Sequence, residues 1–201
     1  MVFSPIVYPR QFEKAIGEKG KHFKSILGYL VANFRHLTFV KTPMTQAAVS
    51  DAVLLLSRAG CKKVIFIGAL GGLAKGFKIG DKFQTDRTRD VHSVKSIHEE
   101  TRKKLLALQK KGVIGIDFES RGFFAAAKKA KLAARAFYVV TDLPLTRPFY
   151  SGTTAGEKKK IKDSLSSCLY AINDITTKAL RHKEHKAARQ GSLVNLSVFV
   201  T

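Results

Sequence analysis

Two carboxylates and one glycine cluster sit where apolar runs end, and their types suit them to chemistry. Glu119 closes Gly115-Ile-Asp-Phe-Glu-Ser120, where a strand pattern gives way to a helical one containing Phe123, Phe124, Ala126 and Ala127. A carboxylate there offers enough acceptor sites for two vicinal hydroxyls. Its plainer role would be to complement a helix N-terminus. In a regular strand Asp117 and Glu119 share one face and Phe118 takes the other. Phe118 and Glu119 therefore reach one ligand only if the strand bends or ends between them. Asp142 closes Ala136-Phe-Tyr-Val-Val-Thr-Asp142, and Leu143-Pro144 then diverts the backbone. An acid at a mostly apolar strand end keeps its proton to higher pH, as a general acid requires. Its plainer role would be a turn cap on Thr153 or nearby amides. The third group is Gly68, Ala69, Gly71 and Gly72, which follow Val64-Ile-Phe-Ile and precede Ile79-Gly-Asp81. Such glycines permit positive φ and leave no side chain between backbone and ligand. The pattern is neither GxGxxG nor a P-loop, so no dinucleotide or nucleoside triphosphate fingerprint is present.

The elements that position these residues follow from apolar patterning. Strands are expected at 4–8, 37–41, 63–67, 113–118 and 136–141, with helices at 10–27, 46–58, 94–111, 120–131 and 157–181. An antiparallel or bent strand is also expected within 83–89. Alternation of strand and helix implies βαβ units and a largely parallel sheet, whose ligands bind at the carboxyl ends of strands. Ile161, Leu165, Cys168, Ile172, Ile175 and Ala179 form one apolar stripe on the last helix, which should cover the sheet. Thr45 is placed to cap the 46–58 helix, and Gly60 to end it. The domain is expected over 1–181. The tail at 182–201 is charged at first and then apolar, and it could add an edge strand or pack on a neighbouring subunit.

Composition narrows the setting. The 201 residues suffice for one domain with a real core. Cys61 and Cys168 lie far apart without CxxC spacing, so they read as reduced thiols. His92, His98 and Glu99 match no recognised ligand spacing, so no metal is expected. The start lacks signal-peptide character and no apolar run reaches transmembrane length, so a soluble, cytoplasmic protein with no membrane partner is expected. Thirty-six Lys+Arg against 15 Asp+Glu give a formal charge of +21. That balance suits anionic ligands or nucleic acid, but the cations are spread along the chain at positions that should face solvent.

Taken together and in this order, the three segments resemble the class I nucleoside phosphorylase family. It comprises purine nucleoside and uridine phosphorylases and the methylthioadenosine/adenosylhomocysteine nucleosidases. Ile67-Gly-Ala-Leu-Gly-Gly-Leu73 with Gly80-Asp81 is similar to the family's central glycine motif. Phe118-Glu119-Ser120 is similar to its Met-Glu-Ser/Ala motif, and Thr141-Asp142 to its Ser-Asp motif. Thr42-Pro-Met-Thr45 fits its second βα turn. The resemblance spans roughly residues 1–180. It implies an α/β domain around a mixed, mostly parallel sheet that curls toward a barrel and is flanked by helices.

By this resemblance the protein cleaves the N-glycosidic bond of a purine-type nucleoside or nucleotide and works without a cofactor, phosphate being a possible co-substrate. Glu119 would bind the ribose 2′ and 3′ hydroxyls and Phe118 would pack under the sugar. Asp142 would protonate the leaving base, with Gly68, Ala69 and Gly71 forming the floor of the site. Phosphorylases of the family carry an arginine where this chain has Phe66, and Ser or Thr where it has Ala69. Hydrolysis is therefore slightly favoured over phosphorolysis. Arg10 is the remaining phosphate candidate near the first strand, while Arg87, Arg89 or Arg121 could touch the phosphate of a nucleotide. The nucleosidases' water-activating glutamate has no secure counterpart; Glu13 is the nearest acid. A homo-oligomer is expected. The alternative is a non-catalytic nucleotide- or nucleic-acid-binding protein on the same fold, using its basic surface.

Overall fold

The computed structural model describes residues 1–25 and 28–196, with side-chain surroundings up to residue 175. Among the described residues nine strands form one mixed sheet: β1 (Val2–Ser4), β2 (Lys21–Lys24), β3 (Leu30–Asn33), β4 (Thr38–Lys41), β5 (Lys63–Gly72), β6 (Lys82–Thr85), β7 (Val91–Ser93), β8 (Gly115–Asp117) and β9 (Ala133–Asp142). The helices are α1 (Pro9–Ile16), α2 (Gln46–Ser57), α3 (Arg102–Lys110), α4 (Ser120–Lys129) and α5 (Ala155–Leu196).

The centre of the sheet, β4-β1-β5-β9, runs parallel as the alternating pattern requires. Its strands are near-continuous apolar runs because helices cover both faces. Antiparallel partners sit at the margins: the β2–β3 hairpin beside β4, β6 along β9, and β8 across the end of β5. The sheet is not closed into a barrel.

Two cores lie on the two faces. One gathers Phe3, Val40, Val53, Phe66, Phe123 and Tyr138 beneath α2 and α4. The other gathers Phe12, Phe39, Ile65, Ile67, Leu169 and Ile172 beneath α1 and α5. The stripe expected on the last helix covers the sheet as far as it is described: Cys168 and Ile172 are buried, Ile161, Leu165 and Ile175 pack against that core, and Ala179 lies outside the residues whose side chains are described.

Several elements differ from the sequence expectation, each for a local reason. The first strand ends at Ser4, whose hydroxyl donates to the Ile67 carbonyl at 2.8 Å and accepts from the Val7 amide at 3.0 Å, turning the chain. The helix expected at 10–27 stops at Ile16, because Gly17 takes φ 72° as a left-handed C-cap. The β2–β3 hairpin follows in its place. The helix expected at 94–111 is broken: a single 3-10 turn at Ile97–Glu99 precedes α3, whose N-cap Thr101 accepts from the Lys104 amide. Helix α5 continues through the expected boundary at 181 as far as Leu196; the rest of the proposed tail lies outside the described residues.

Candidate active site

The glycine cluster is strand rather than loop. Gly68, Gly71 and Gly72 all lie inside β5, and none has the positive φ that a loop role would use. Close approach explains them. A Cβ on Gly68 would lie 2.4 Å from the Phe66 ring, so that ring covers the strand there. A Cβ on Gly71 would lie 2.8 Å from Pro144 Cγ and 2.9 Å from Ile116 Cγ1. Gly71 is also the register partner of Ile116 on β8 and of Asp142 on β9, at an irregularity between Leu70 and Gly71. The cluster thus lets two strands converge on one residue of a third, which brings their carboxyl-bearing ends together.

A cavity of about 250 Å³ opens at this convergence. Its wall includes Ala69, Gly71, Phe118, Glu119, Thr141 and Asp142. Gly68 lies further back on β5 and does not line it. Pro5 and Ile6 contribute from the turn made by Ser4, and half-exposed Met44 and Phe149 stand at its mouth. A larger groove of about 550 Å³, lined by Met1, Arg35, Lys62 and Lys63 among others, lies at the opposite, amino ends of β1 and β5. It contains none of the candidate acids.

Strand β8 ends at Asp117, so Phe118 and Glu119 escape the alternation that would separate them. Asp117 is the structural acid of this segment. It accepts from the Ser93 hydroxyl at 2.6 Å and the Ser120 amide at 2.9 Å, fastening the start of α4 to β7. Glu119 holds the N-cap position of α4 without capping it. One carboxyl oxygen accepts from the Phe118 amide at 3.1 Å; the other, Oε1, is buried with no hydrogen-bond partner. An orphaned acceptor in a cavity wall is costly unless a ligand supplies a donor. Burial and the Asp117 charge push Glu119 up to about 8, against weaker opposition from the Phe118 amide and the Lys41 ammonium. Burial likewise pushes Asp142 up to about 6, although the Thr141 hydroxyl at 3.1 Å and the Phe149 amide favour its charged form. Asp142 can therefore carry a proton near neutral pH, as a general acid must.

Two groups escaped the sequence reading. Glu100 lines the same cavity, half-buried, and is pushed up to about 7 by burial and by the Asp142 charge. The single long helix drawn through 94–111 hid it; Thr101, a good N-cap type in mid-pattern, was the signal for the break. Lys41 ends β4, donates to the Pro5 carbonyl at 2.5 Å and lies 4.8 Å over the Tyr8 ring. Burial lowers its pKa, which the Glu119 charge opposes.

Other candidates lie elsewhere. Arg10 is exposed on the first turn of α1 and lines a separate groove with His22 and Phe23. Arg87 is exposed beyond β6, 4.0 Å from Asp86. Neither lines the cavity, and neither do Arg89 and Arg121. Glu13 accepts from the Gly20 amide and pairs with His22, tying α1 to the β2 hairpin. Glu99 is engaged by Lys104 at 2.6 Å, and among the described residues no three His, Cys, Asp or Glu side chains gather as metal ligands would. No described helix is long and apolar enough to cross a membrane.

No family model and no curated protein sequence matches this chain. Solved structures do share its fold. Uridine phosphorylase from Vibrio fischeri superposes with a TM-score of 0.68 at 14% identity, covering 89% of this chain and 90% of that one. The 5′-methylthioadenosine/S-adenosyl homocysteine nucleosidase of Campylobacter jejuni gives 0.68 at 9% identity, covering 88% and 97%. AMP nucleosidase from Bacteroides thetaiotaomicron gives 0.60 at 16% identity, covering 85% and 86%. The chain therefore has the fold common to nucleoside phosphorylases and nucleosidases.

Proposed function

We propose that the protein cleaves the N-glycosidic bond of a purine-type nucleoside or nucleotide, with water favoured over phosphate as the acceptor. One observation carries this reading: β8 and β9 both register on Gly71 and deliver Phe118, Glu119 and Asp142 to a single cavity. The fold, shared with phosphorylases and nucleosidases, supports the same reaction class.

The chemistry follows from the groups present. Glu119 accepts hydrogen bonds from two ribose hydroxyls, its unpartnered oxygen taking one of them. Phe118 packs against the sugar face. As the bond from C1′ to the base nitrogen lengthens, positive charge grows on the sugar and negative charge on the base. The Glu119 carboxylate stabilises the first, and the Asp142 proton neutralises the second. The bonding pair leaves with the base, which takes that proton. A water oxygen then bonds to C1′ and releases a proton in its turn.

The choice of water rests on the neighbours of the glycine cluster. Phe66 is fully buried between Phe123 and Tyr138, so the phosphorylase arginine's position is core here. Ala69 lines the cavity without a hydroxyl. A phosphate would find neither the guanidinium fork nor the hydroxyl it needs.

The test is release of free base from a panel of nucleosides and nucleotides, with and without phosphate. Release independent of phosphate and lost in both Glu119→Gln and Asp142→Asn is the expected result. Phosphate-dependent release would overturn the choice of acceptor. No release from any compound, together with salt-sensitive binding of nucleic acid indifferent to both substitutions, would replace the enzyme with a binding protein.

A further inference from the structure

Aromatic rings divide sharply between the interior and one stretch of surface. Phe3, Phe12, Phe39 and Phe66 are fully buried, whereas Tyr8 is 57% and Phe23 46% exposed. These two exposed rings line one groove of about 430 Å³, with Arg10, His22, Leu30 and Val31. The groove shares no lining residue with the candidate active site. It follows β2, an edge strand of the sheet, all four of whose residues are exposed.

Cations surround the rings. Arg10 lines the groove from α1, and β2 reads Lys-His-Phe-Lys. Strand alternation sets Lys21 on the face of Phe23 and Lys24 on that of His22. The Lys41 ammonium lies 4.8 Å over the Tyr8 ring, and the exposure of that ring leaves its other face open. Among the described residues no acid lines the groove. Glu13, which reaches its rim, is taken up by His22 at 2.6 Å and by the Gly20 amide.

We propose that this groove binds single-stranded nucleic acid, with bases stacked on Tyr8 and Phe23 and phosphates met by Arg10 and the β2 lysines. Open ring faces beside cations are the two elements that such binding needs. Every base has a face and every nucleotide a phosphate, so neither sequence nor sugar is read. A duplex keeps its base faces inside its own stack and cannot use the rings. The rings line a hollow rather than standing out from the surface, so they receive a base more readily than they enter a bilayer. A second copy of this chain brings the same +21 and would set like charges together.

The experiment measures binding of oligothymidylate about 12 nucleotides long, against an abasic strand of the same length and charge. Wild-type protein should hold oligothymidylate at least about tenfold more tightly. Tyr8→Ala and Phe23→Ala should each weaken it by about fivefold or more and leave the abasic strand unchanged. Arg10→Ala should weaken both strands alike and reduce the salt slope by about 0.7, as loss of one phosphate contact requires. Photo-crosslinking of a bromodeoxyuridine strand to unaltered protein gives a readout that no misfolded variant can spoil, and the labelled peptides should contain Tyr8 or Phe23. Equal affinity for the two strands would overturn the proposal, leaving a diffuse basic surface. Crosslinks confined to other segments would overturn it too. Binding of anionic phosphatidylserine vesicles that Phe23→Ala abolished, with no preference for oligothymidylate, would assign the groove to a membrane instead. None of these readouts needs turnover, so the proposal stands or falls apart from the reaction under Proposed function.

Discussion

Glu119 and Asp142 are both pushed up by burial, but function needs opposite things of them. In the proposed reaction Asp142 works by giving up a proton it already holds. Its contribution should therefore fall as pH rises through about 6, and kcat/KM should show a descending limb there. Asp142→Asn should remove that limb and lower kcat by roughly 10²–10⁴. In the proposed reaction Glu119 works as a carboxylate toward sugar hydroxyls, although burial keeps it neutral up to about 8. Hydroxyl donors arriving with the substrate lower its pKa again, so substrate binding should release protons. Buffer-dependent calorimetry near pH 7 would detect this release, which Glu119→Gln should abolish. Stability carries the same signature. Between 4.5 and about 8 the unfolded chain has lost the Glu119 proton while the folded chain keeps it. The folded state then binds more protons, so this group's contribution to stability falls as pH rises through that window. Glu119→Gln should flatten that fall in Tm while eliminating activity, a trade expected where a buried acid is kept for chemistry rather than for folding.

At the scale of elements, close approach governs the site. Helix α4 carries Glu119 at its start and packs on α2. Gly122 is the contact point: a Cβ there would lie 2.3 Å from the Gln46 carbonyl oxygen. Backbone cannot step aside as a side chain can, so Gly122→Ala should cost about 1–3 kcal/mol and displace the α4 N-terminus. A lower Tm together with a raised KM would show it, whereas an unchanged Tm would mean that the helices separate freely. Thr45→Ala at the α2 N-cap tests the neighbouring end and should cost about 1 kcal/mol.

These elements also show what can be read from sequence. Helix α2, its Thr45 cap, β9 and antiparallel β6 were legible because local patterning determines them. The β2–β3 hairpin was not, because the apolar residues of 21–33 also suit a helix and the signals against one are single glycines, Gly17, Gly20 and Gly28. Strand β7 has three residues, too few for a period to show. At the site, Glu119 and Asp142 were legible as acids ending apolar runs. The glycines' true role was not, since what crowds Gly71 is Pro144 and Ile116, far away in sequence. Glu100 depended on a helix break that periodicity alone passes over.

At the scale of the whole molecule, charge and site pull in different directions. The chain carries a formal +21, but the acids Glu100, Asp117, Glu119 and Asp142 all line the cavity. Long-range attraction would draw a nucleotide in. At short range its phosphate would meet little positive charge, since Arg10 and Arg87 lie elsewhere and Lys41 already bonds the Pro5 carbonyl. Two quantities separate these effects. If only the distant field matters, a nucleoside monophosphate should exceed its nucleoside in kcat/KM at low salt, and the advantage should vanish as ionic strength shortens the Debye length to about 8 Å. If a cation touches the phosphate, part of the advantage should survive salt and be lost in Lys41→Met. The structure favours the first outcome, because Lys41, which acts on Glu119, is held against backbone and an aromatic ring. A salt-resistant preference for the monophosphate that Lys41→Met leaves intact would show that the phosphate is held by groups outside this cavity, and the nucleotide would then be the substrate to pursue.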